Sequence, residues 1–135
     1  MDASVIKALE IADKYNIDIQ VVNAGIEKHP DYGSDYKVFT IKVIRDQKSF
    51  TFKLGEADLG LEEGEEISYD DLYQNVLARL PKDNPGSFEN YIEDMGSSEG
   101  EEDLQISKRW YDFECDLFKK TIMLFPDILE ELREI

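Results

Sequence analysis

The stretch 36-YKVFTIKVIRDQKSFTFKLG-55 holds two β-rich runs on either side of a short polar interruption. Both runs are built from the valine, isoleucine, phenylalanine and threonine residues that favour strands. The polar residues 46–48 between them predict a tight hairpin turn. The first run is also interrupted by Lys37, Lys42 and Arg45, so both of its faces should be partly covered. We therefore expect a sheet that packs on helices on one side.

A helix and a first strand are predicted before the hairpin. The segment DASVIKALEIADKY carries an apolar stripe at helical spacing, with Asp2 or Ser4 as the N-cap. Asn16 is expected to end this helix in a left-handed conformation. The following run, IDIQVVNAG, is β-rich and is expected to end at Gly25.

The second half of the chain predicts helices. Ser68 and Asp71 form a capping box at the start of a helix that stops before a proline. Ser87 caps a second, short helix that Gly96 ends. A longer helix begins at about residue 103, and a short terminal helix follows it. One stripe of the longer helix is assigned to the core: Ile106, Trp110, Phe113, Leu117 and Leu124.

The predicted order of elements is α-β-β-β-α-α-α-α, which belongs to the α+β class. It comprises an N-terminal helix, a three-stranded antiparallel sheet and a C-terminal group of four helices. With 135 residues and 41% apolar content, the chain is expected to form a single domain, residues 1–135. Within it, residues 1–55 form the helix and sheet, 56–66 an acidic loop, and 67–135 the helical part.

The net charge of −16 is concentrated in the middle of the chain. Residues 1–55 hold eight acidic and eight basic side chains, whereas residues 56–103 hold sixteen acidic and two basic ones. Such a charge disfavours direct binding to nucleic acid, which needs basic patches, and to anionic membranes. It favours a basic partner protein, with improved solubility as the plain alternative.

The candidate partner-binding residues are carboxylates from this acidic part. The stretch 55-GEADLGLEEGEEISYDD-71 holds eight acidic residues and no Lys, Arg or His. Helical neighbours at i, i+4 have Cβ atoms about 5–6 Å apart. This distance is similar to the spacing of successive phosphates along a nucleic-acid strand. Tyr69 and Tyr73 lie beside the cluster, and one of them could anchor a partner there. The candidates are Glu62, Glu63, Glu65, Glu66, Asp70, Asp71, Glu99, Glu101, Glu102 and Asp103.

Catalytic and metal-binding patterns are absent from the sequence. The single histidine, His29, is expected in a surface loop, and the single cysteine, Cys115, as a buried structural thiol. The acidic stretches lack the ligand spacing of an EF-hand, so no dedicated metal site is expected. They are compatible with adventitious binding of Mg²⁺ or Ca²⁺. We expect that the protein is not an enzyme, and that it has no catalytic residues and no cofactor. One cysteine, no membrane span and no signal peptide favour the cytoplasm.

The second half also resembles a group of small acidic proteins from bacteriophages and prophages. The matching residues are the motif NPGSFE at 84–89, a polar acidic turn, a long amphipathic helix and the ending EELREI at 130–135. The hairpin is similar to that group's basic and aromatic strand pair, which ends in Phe-x-x-Gly. Residues 56–66 depart from the pattern, since they are more acidic and richer in glycine. The resemblance implies a phage context, in the cytoplasm of the host.

Two functions from different classes remain open. The first is a phage inhibitor that binds a host defence nuclease, such as a CRISPR–Cas effector, through an acidic surface that imitates nucleic acid. Anti-CRISPR proteins are phage products of this kind. The second is a phage accessory or regulatory interaction protein whose acidic face is only solvated. It would bind its partner through the helix around Trp110 or through the sheet. A homodimer is one arrangement compatible with this alternative.

Overall fold

A computed structural model describes residues 2–29, 33–62, 64–94 and 101–135, with side chains throughout except at 94 and 101–103. It contains an N-terminal helix, a three-stranded antiparallel sheet and several further helices, so the α+β class is confirmed. The elements are α1 (Ala3–Lys14), β1 (Ile17–Lys28), β2 (Asp35–Arg45), β3 (Lys48–Gly55), a 3₁₀ turn (Ala57–Leu59), α2 (Tyr69–Arg79), α3 (Phe88–Asp94), α4 (Glu101–Leu124) and α5 (Leu129–Leu132).

Helix starts and stops follow the predicted capping residues where the structure describes them. The Asp2 carboxylate accepts a hydrogen bond from the Ser4 amide at 2.8 Å, so Asp2 is the cap of α1. Asn16 has a φ of 57°, the left-handed stop predicted for it. The Ser68 hydroxyl accepts from the Asp71 amide at 3.2 Å and caps α2. Gly96, predicted to end α3, lies outside the described residues.

The sheet has the order β1-β2-β3, with both pairs antiparallel. The hairpin turn is shorter than predicted, because Lys48 already pairs with Arg45 and only two residues connect the strands. The first of these, Asp46, has a φ of 57°, a conformation that Asp tolerates better than most residues. The hairpin prediction is therefore confirmed, with its turn tightened by one residue.

The core lies against one face of the sheet, as expected. Alternate residues of the strands, among them Ile19, Ile41 and Phe52, are buried on this face and form one cluster with side chains of α1, α2 and α4. The segment after α4 closes the cluster, since Phe125 and Leu132 are fully buried. One face of a three-stranded sheet and the helices that cover it thus supply the hydrophobic stabilisation.

β1 is longer than predicted. It runs past Gly25 to Lys28, with a bulge between Val21 and Asn23. Its second half is exposed on both faces; Ile26 retains 67% of its accessible surface. We call residues 26–28 and their partners 35–37 the strand arm, because they are exposed or half-buried and extend beyond the helices that cover the rest of the sheet.

α2 covers the free edge of the first half of β1 through the buried side chain of Tyr73. Its hydroxyl accepts from the Ile19 amide at 3.1 Å and donates to the Asp18 carboxylate at 3.0 Å. Burial raises the pKa of Tyr73, so the hydroxyl keeps the proton that it donates to Asp18. An edge amide that would otherwise lack a partner is satisfied in this way.

Tyr73→Phe should lower the free energy of unfolding by about 1–3 kcal/mol, because the buried Ile19 amide loses its acceptor. Chemical denaturation measures this change. The matched control is Tyr69→Phe, whose side chain is 65% exposed and whose replacement should cost less than about 0.5 kcal/mol. Equal effects of the two substitutions would contradict the role assigned to the Tyr73 hydroxyl.

Arg45 joins the hairpin to the end of α4. Its guanidinium donates to both oxygens of Asp127, at 2.6 and 2.8 Å, and to the Leu124 carbonyl at 3.1 Å. The hydrogen bonds from Arg45 lower the pKa of Asp127 to about 2. Two hydrogen bonds in parallel give this ion pair a fixed geometry that most surface pairs lack.

Asp127→Asn should reduce stability near neutral pH but not in strong acid. The pKa of Asp127 in the folded protein lies below its ordinary value of 3.8, so the carboxylate stabilises the fold above about pH 4 and loses this effect as the pH falls towards 2. Because the side chain is 55% exposed, screening limits the difference to less than about 1 kcal/mol. Urea unfolding of both proteins across this range is the measurement; a pH-independent difference would rule out the linkage.

Candidate functional site: an acidic segment beside a cleft

The acidic segment, which we define as residues 56–71, is anchored at one end of the sheet. The predicted loop, residues 56–66, is not irregular throughout, because residues 57–59 form a 3₁₀ turn that buries Leu59 to 1% exposure. The Asn75 amide donates to the Leu59 carbonyl at 2.7 Å and ties the turn to α2. Gly60 and Gly64 have φ values of 69° and 78°, which a residue with a side chain rarely adopts. The glycines therefore shape the segment between its two fixed ends.

Most of the described candidate carboxylates in this segment face solvent. Glu62, Glu65, Glu66 and Asp71 are exposed, and Asp70 is half-buried. The Glu65 carboxylate accepts from the Glu62 amide at 2.9 Å, so part of the cluster holds its own backbone. The remaining candidates, Glu63, Glu99 and the side chains of Glu101, Glu102 and Asp103, lie outside the described residues. α4 begins at Glu101, two residues earlier than predicted.

The carboxylates of the acidic segment differ from those elsewhere in how they are neutralised. Within the described parts of the chain, no Lys or Arg forms an ion pair with any acidic residue of the segment. Acidic residues of other elements do have such partners, for example Glu134 with Lys7 at 3.0 Å and Glu27 with Lys53 at 3.2 Å. The segment is therefore a source of negative potential that the described part of the fold leaves uncompensated.

Trp110 is not a core residue, contrary to the prediction. It retains 39% of its accessible surface, and on the same stripe Phe113 is only half-buried, whereas Leu117 and Leu124 are buried. The first half of α4 leaves the core and packs on α3, where the Tyr111 ring lies 5.4 Å from that of Phe88. We call α3 and residues 104–113 the helical arm. The apolar stripe was real, but its first half does not reach the sheet.

A cleft of about 920 Å³ separates the helical arm from the strand arm. Trp110 and Phe113 line one wall, and Ile26 and Tyr36 line the other. Residues from the end of β3 and from the acidic segment, including Leu61, form its floor. Small-molecule sites span about 300–1,000 Å³, so this volume is sufficient for a ligand or for a few side chains of a partner.

The two walls of the cleft are held by local packing. Trp110 meets Phe113 edge to face, with the ring centroids 6.3 Å apart. On the opposite wall, a Cβ atom at Gly55 would lie 3.1 Å from the Tyr36 ring, so glycine allows the ring to rest on the backbone. The Tyr36 ring also lies 5.0 Å from that of His29, which follows β1 and is half-buried.

The charged groups that line the cleft have partners within the protein. Lys53 pairs with Glu27 at 3.2 Å and Asp35 with Lys28 at 3.6 Å. The remaining lining carboxylates accept from backbone amides: Asp58 from Gly55 at 3.3 Å and Glu56 from Gly64 at 3.4 Å. Lys37 lies over the Phe39 ring at 5.1 Å, and Arg109 also lines the cleft. The cleft therefore offers mainly apolar and aromatic contacts.

No metal-binding cluster is found among the described residues. They contain no group of three or more His, Cys, Asp or Glu placed to hold a metal ion. Burial lowers the pKa of Lys82 to about 8, but its amine donates to the Leu77 and Ala78 carbonyls and caps α2. Cys115 is half-buried, so its assignment as a buried thiol was wrong. The described part of the chain also has no helix long and apolar enough to span a bilayer.

Of the two tyrosines beside the acidic segment, one is exposed and the other is buried, as the sequence suggested. Tyr69 is 65% exposed at the start of α2, and its ring lies 4.6 Å from that of the buried Tyr73. Tyr69 thus presents an aromatic surface beside Asp70, while Tyr73 holds the helix on the sheet. An exposed tyrosine supported by a buried one is a suitable interface anchor.

No protein-family model matches the chain, and neither does any curated protein or any solved structure.

The cleft was not predicted from the sequence, because its walls come from parts of two elements that extend beyond the core. β1 continues beyond the part with alternating burial, with Val22 and Ile26 in a stretch that has no buried face. α4 has 24 residues and so spans about 36 Å, which is longer than a strand of eight residues such as β3. Both elements are longer than the core requires.

Trp110→Ala should reduce the free energy of unfolding by about 1–2 kcal/mol, because the indole is only partly buried. Phe125→Ala, which removes a fully buried ring, should cost about 3–5 kcal/mol. Denaturant titrations followed by circular dichroism compare the two without relying on tryptophan fluorescence. If the Trp110 variant were as unstable as the Phe125 variant, the indole would have to be a core residue, contrary to the assignment made here.

Proposed function

We propose that this protein is an inhibitor that presents its acidic segment to a basic partner. The supporting observation is the set of exposed carboxylates, Glu62, Glu65, Glu66 and Asp71, that have no Lys or Arg partner among the described residues. Repulsion within such a cluster opposes folding, and a positive partner surface would relieve it. The partner then supplies the cations that the acidic segment lacks.

The partner class that fits this surface is a protein with a positively charged channel for nucleic acid. In the phage context implied by the sequence resemblance, it is a host defence nuclease, with a CRISPR–Cas effector as the first candidate. The protein would act as a DNA mimic in the host cytoplasm, without contacting nucleic acid or membranes. The proposal includes the predicted cluster 99–103 and a helical part of four helices, α2 to α5, that presents both clusters.

A second candidate function is a phage accessory or regulatory interaction protein whose acidic surface is only solvated. The exposure of Trp110 favours it, because a 39% exposed indole at the cleft is a ready contact residue. In that case the helical arm or the sheet is the working surface, and a homodimer is one arrangement. The two functions differ in their dependence on salt.

Electrostatic mimicry predicts that association with a purified effector slows steeply as ionic strength rises. Exposed charges farther apart than the Debye length of about 8 Å at physiological salt are screened. Pre-loading the effector with target DNA should also block association, since both ligands need the same channel. The measurement is the association rate against salt, with and without saturating DNA. A flat salt profile, or a stable ternary complex, would contradict mimicry.

The triple substitution Glu62→Gln, Glu65→Gln and Glu66→Gln tests the acidic segment itself. Glutamine keeps the size and an acceptor oxygen, so the fold should remain while association with the effector is lost. The matched control removes three charges elsewhere, Glu10→Gln, Glu89→Gln and Glu93→Gln, all exposed on α1 and α3. Equal loss in both variants would mean that net charge, not this segment, attracts the partner.

A further inference from the structure

We propose that the cleft between the strand arm and the helical arm is a docking site for an apolar side chain flanked by basic residues. The occupant is a peptide segment of the partner: its apolar residue enters the cleft and its cations lie along the acidic segment. This inference rests on the proposed function and adds a second contact to it. It names the chemistry that the partner surface must present.

The apolar half of this chemistry follows from the walls. Ile26, Trp110 and Phe113 present apolar surface to the cleft without closing it, and Ile26 and Trp110 remain 67% and 39% exposed. Burying such surface against an aliphatic or aromatic side chain is favourable at about 25 cal/mol per Å². The charged lining groups described above already have partners within the protein, so a charged side chain would gain little inside the cleft.

The basic residues of the proposed peptide are inferred from the acidic segment, which lies directly beside the cleft. Its floor includes Glu56, Asp58 and Gly64, which are themselves part of the acidic segment. The chain leaves the floor at Gly64 and continues directly into the exposed Glu65 and Glu66. A peptide whose apolar residue sits in the cleft therefore has its neighbours beside carboxylates, Glu65 and Glu66, that form no ion pair with a Lys or Arg in the described part of the chain.

Charge also decides against a second copy of this chain as the occupant. Each copy carries a net charge of −16, and the acidic segment adjoins the cleft, so a copy entering the cleft of another would bring like charges together. An apolar contact ringed by charges opposite to those of the partner is the usual arrangement of a specific interface, with an anchor at the centre and polar contacts at the rim.

The test uses the full chain and three synthetic peptides with blocked ends: Lys-Lys-Phe-Lys-Lys, Lys-Lys-Ser-Lys-Lys and Glu-Glu-Phe-Glu-Glu. Trp110 is the only tryptophan, so its fluorescence reports directly on the cleft. The Phe peptide flanked by lysines should change the Trp110 emission and bind at least about fivefold more tightly than either of the others. Raising the salt should weaken its binding without abolishing it.

A pair of matched variants locates the binding. Ile26→Ser removes an exposed isoleucine from the cleft, while Ile6→Ser removes one that is 44% exposed on α1. Fluorescence anisotropy of the labelled peptide should show at least about fivefold weaker binding to the Ile26 variant and no change for the Ile6 variant. Equal binding by both variants would overturn the docking site.

The other outcomes separate this inference from the proposed function. If the serine peptide binds as well as the phenylalanine peptide, or if Ile26→Ser leaves effector association unchanged, the docking site is wrong while the acidic inhibitor stands. If the glutamate peptide binds equally, or if the protein dimerises through Ile26 in sedimentation experiments, the assigned occupant is wrong. If the lysine–phenylalanine peptide docks as described but no effector associates, the proposed function fails and the peptide specificity of the cleft remains.

Discussion

The fold depends on the need to cover one face and two edges of a small sheet. Three strands bury an apolar face only if helices pack on it, and the free edges expose backbone groups that need partners. Tyr73 from α2 supplies a partner at the β1 edge, and Lys120 from α4 donates to the Thr51 carbonyl of β3 at 3.0 Å. The same helices therefore complete the core and protect the sheet.

The elements of the candidate site begin where this coverage ends. β1 and β2 continue past the helices as the strand arm, and α4 continues past the sheet as the helical arm. The acidic segment crosses between the arms and is held there by the buried Leu59. A well-packed core thus fixes the position of surfaces that contribute little to stability themselves, which is how binding sites are commonly supported.

Local patterns in the sequence were enough to predict the α+β class, the N-terminal helix and the three-stranded antiparallel sheet. The caps at Asp2 and Ser68, the left-handed Asn16 and the two-strand hairpin all depend on residues close in the chain, and they were confirmed. Solvent exposure depends on which neighbours reach a residue, and periodicity does not carry that information. The stripe of α4 therefore looked uniform, and the core assignment of Trp110 was wrong.

The acidic residues were easy to find in the sequence, but the surface they form was not. The segment could be identified from the sequence alone, because a run of acidic residues without basic neighbours requires no knowledge of the fold. The 3₁₀ turn, the buried Leu59 and the adjoining cleft result from contacts with β3, α2 and α4. Such contacts join residues far apart in the chain, and a single sequence contains no record of them.

The contact between the two ends of the described chain has a consequence for how the protein folds as it is made. Tyr15 donates to Glu131, Lys7 pairs with Glu134, and Leu132 is buried in the same core as Ile11. α1 therefore cannot complete its packing until the ribosome has added residues 128–132, and contacts of such long range make folding slow. Until then the nascent chain exposes apolar surface that could aggregate.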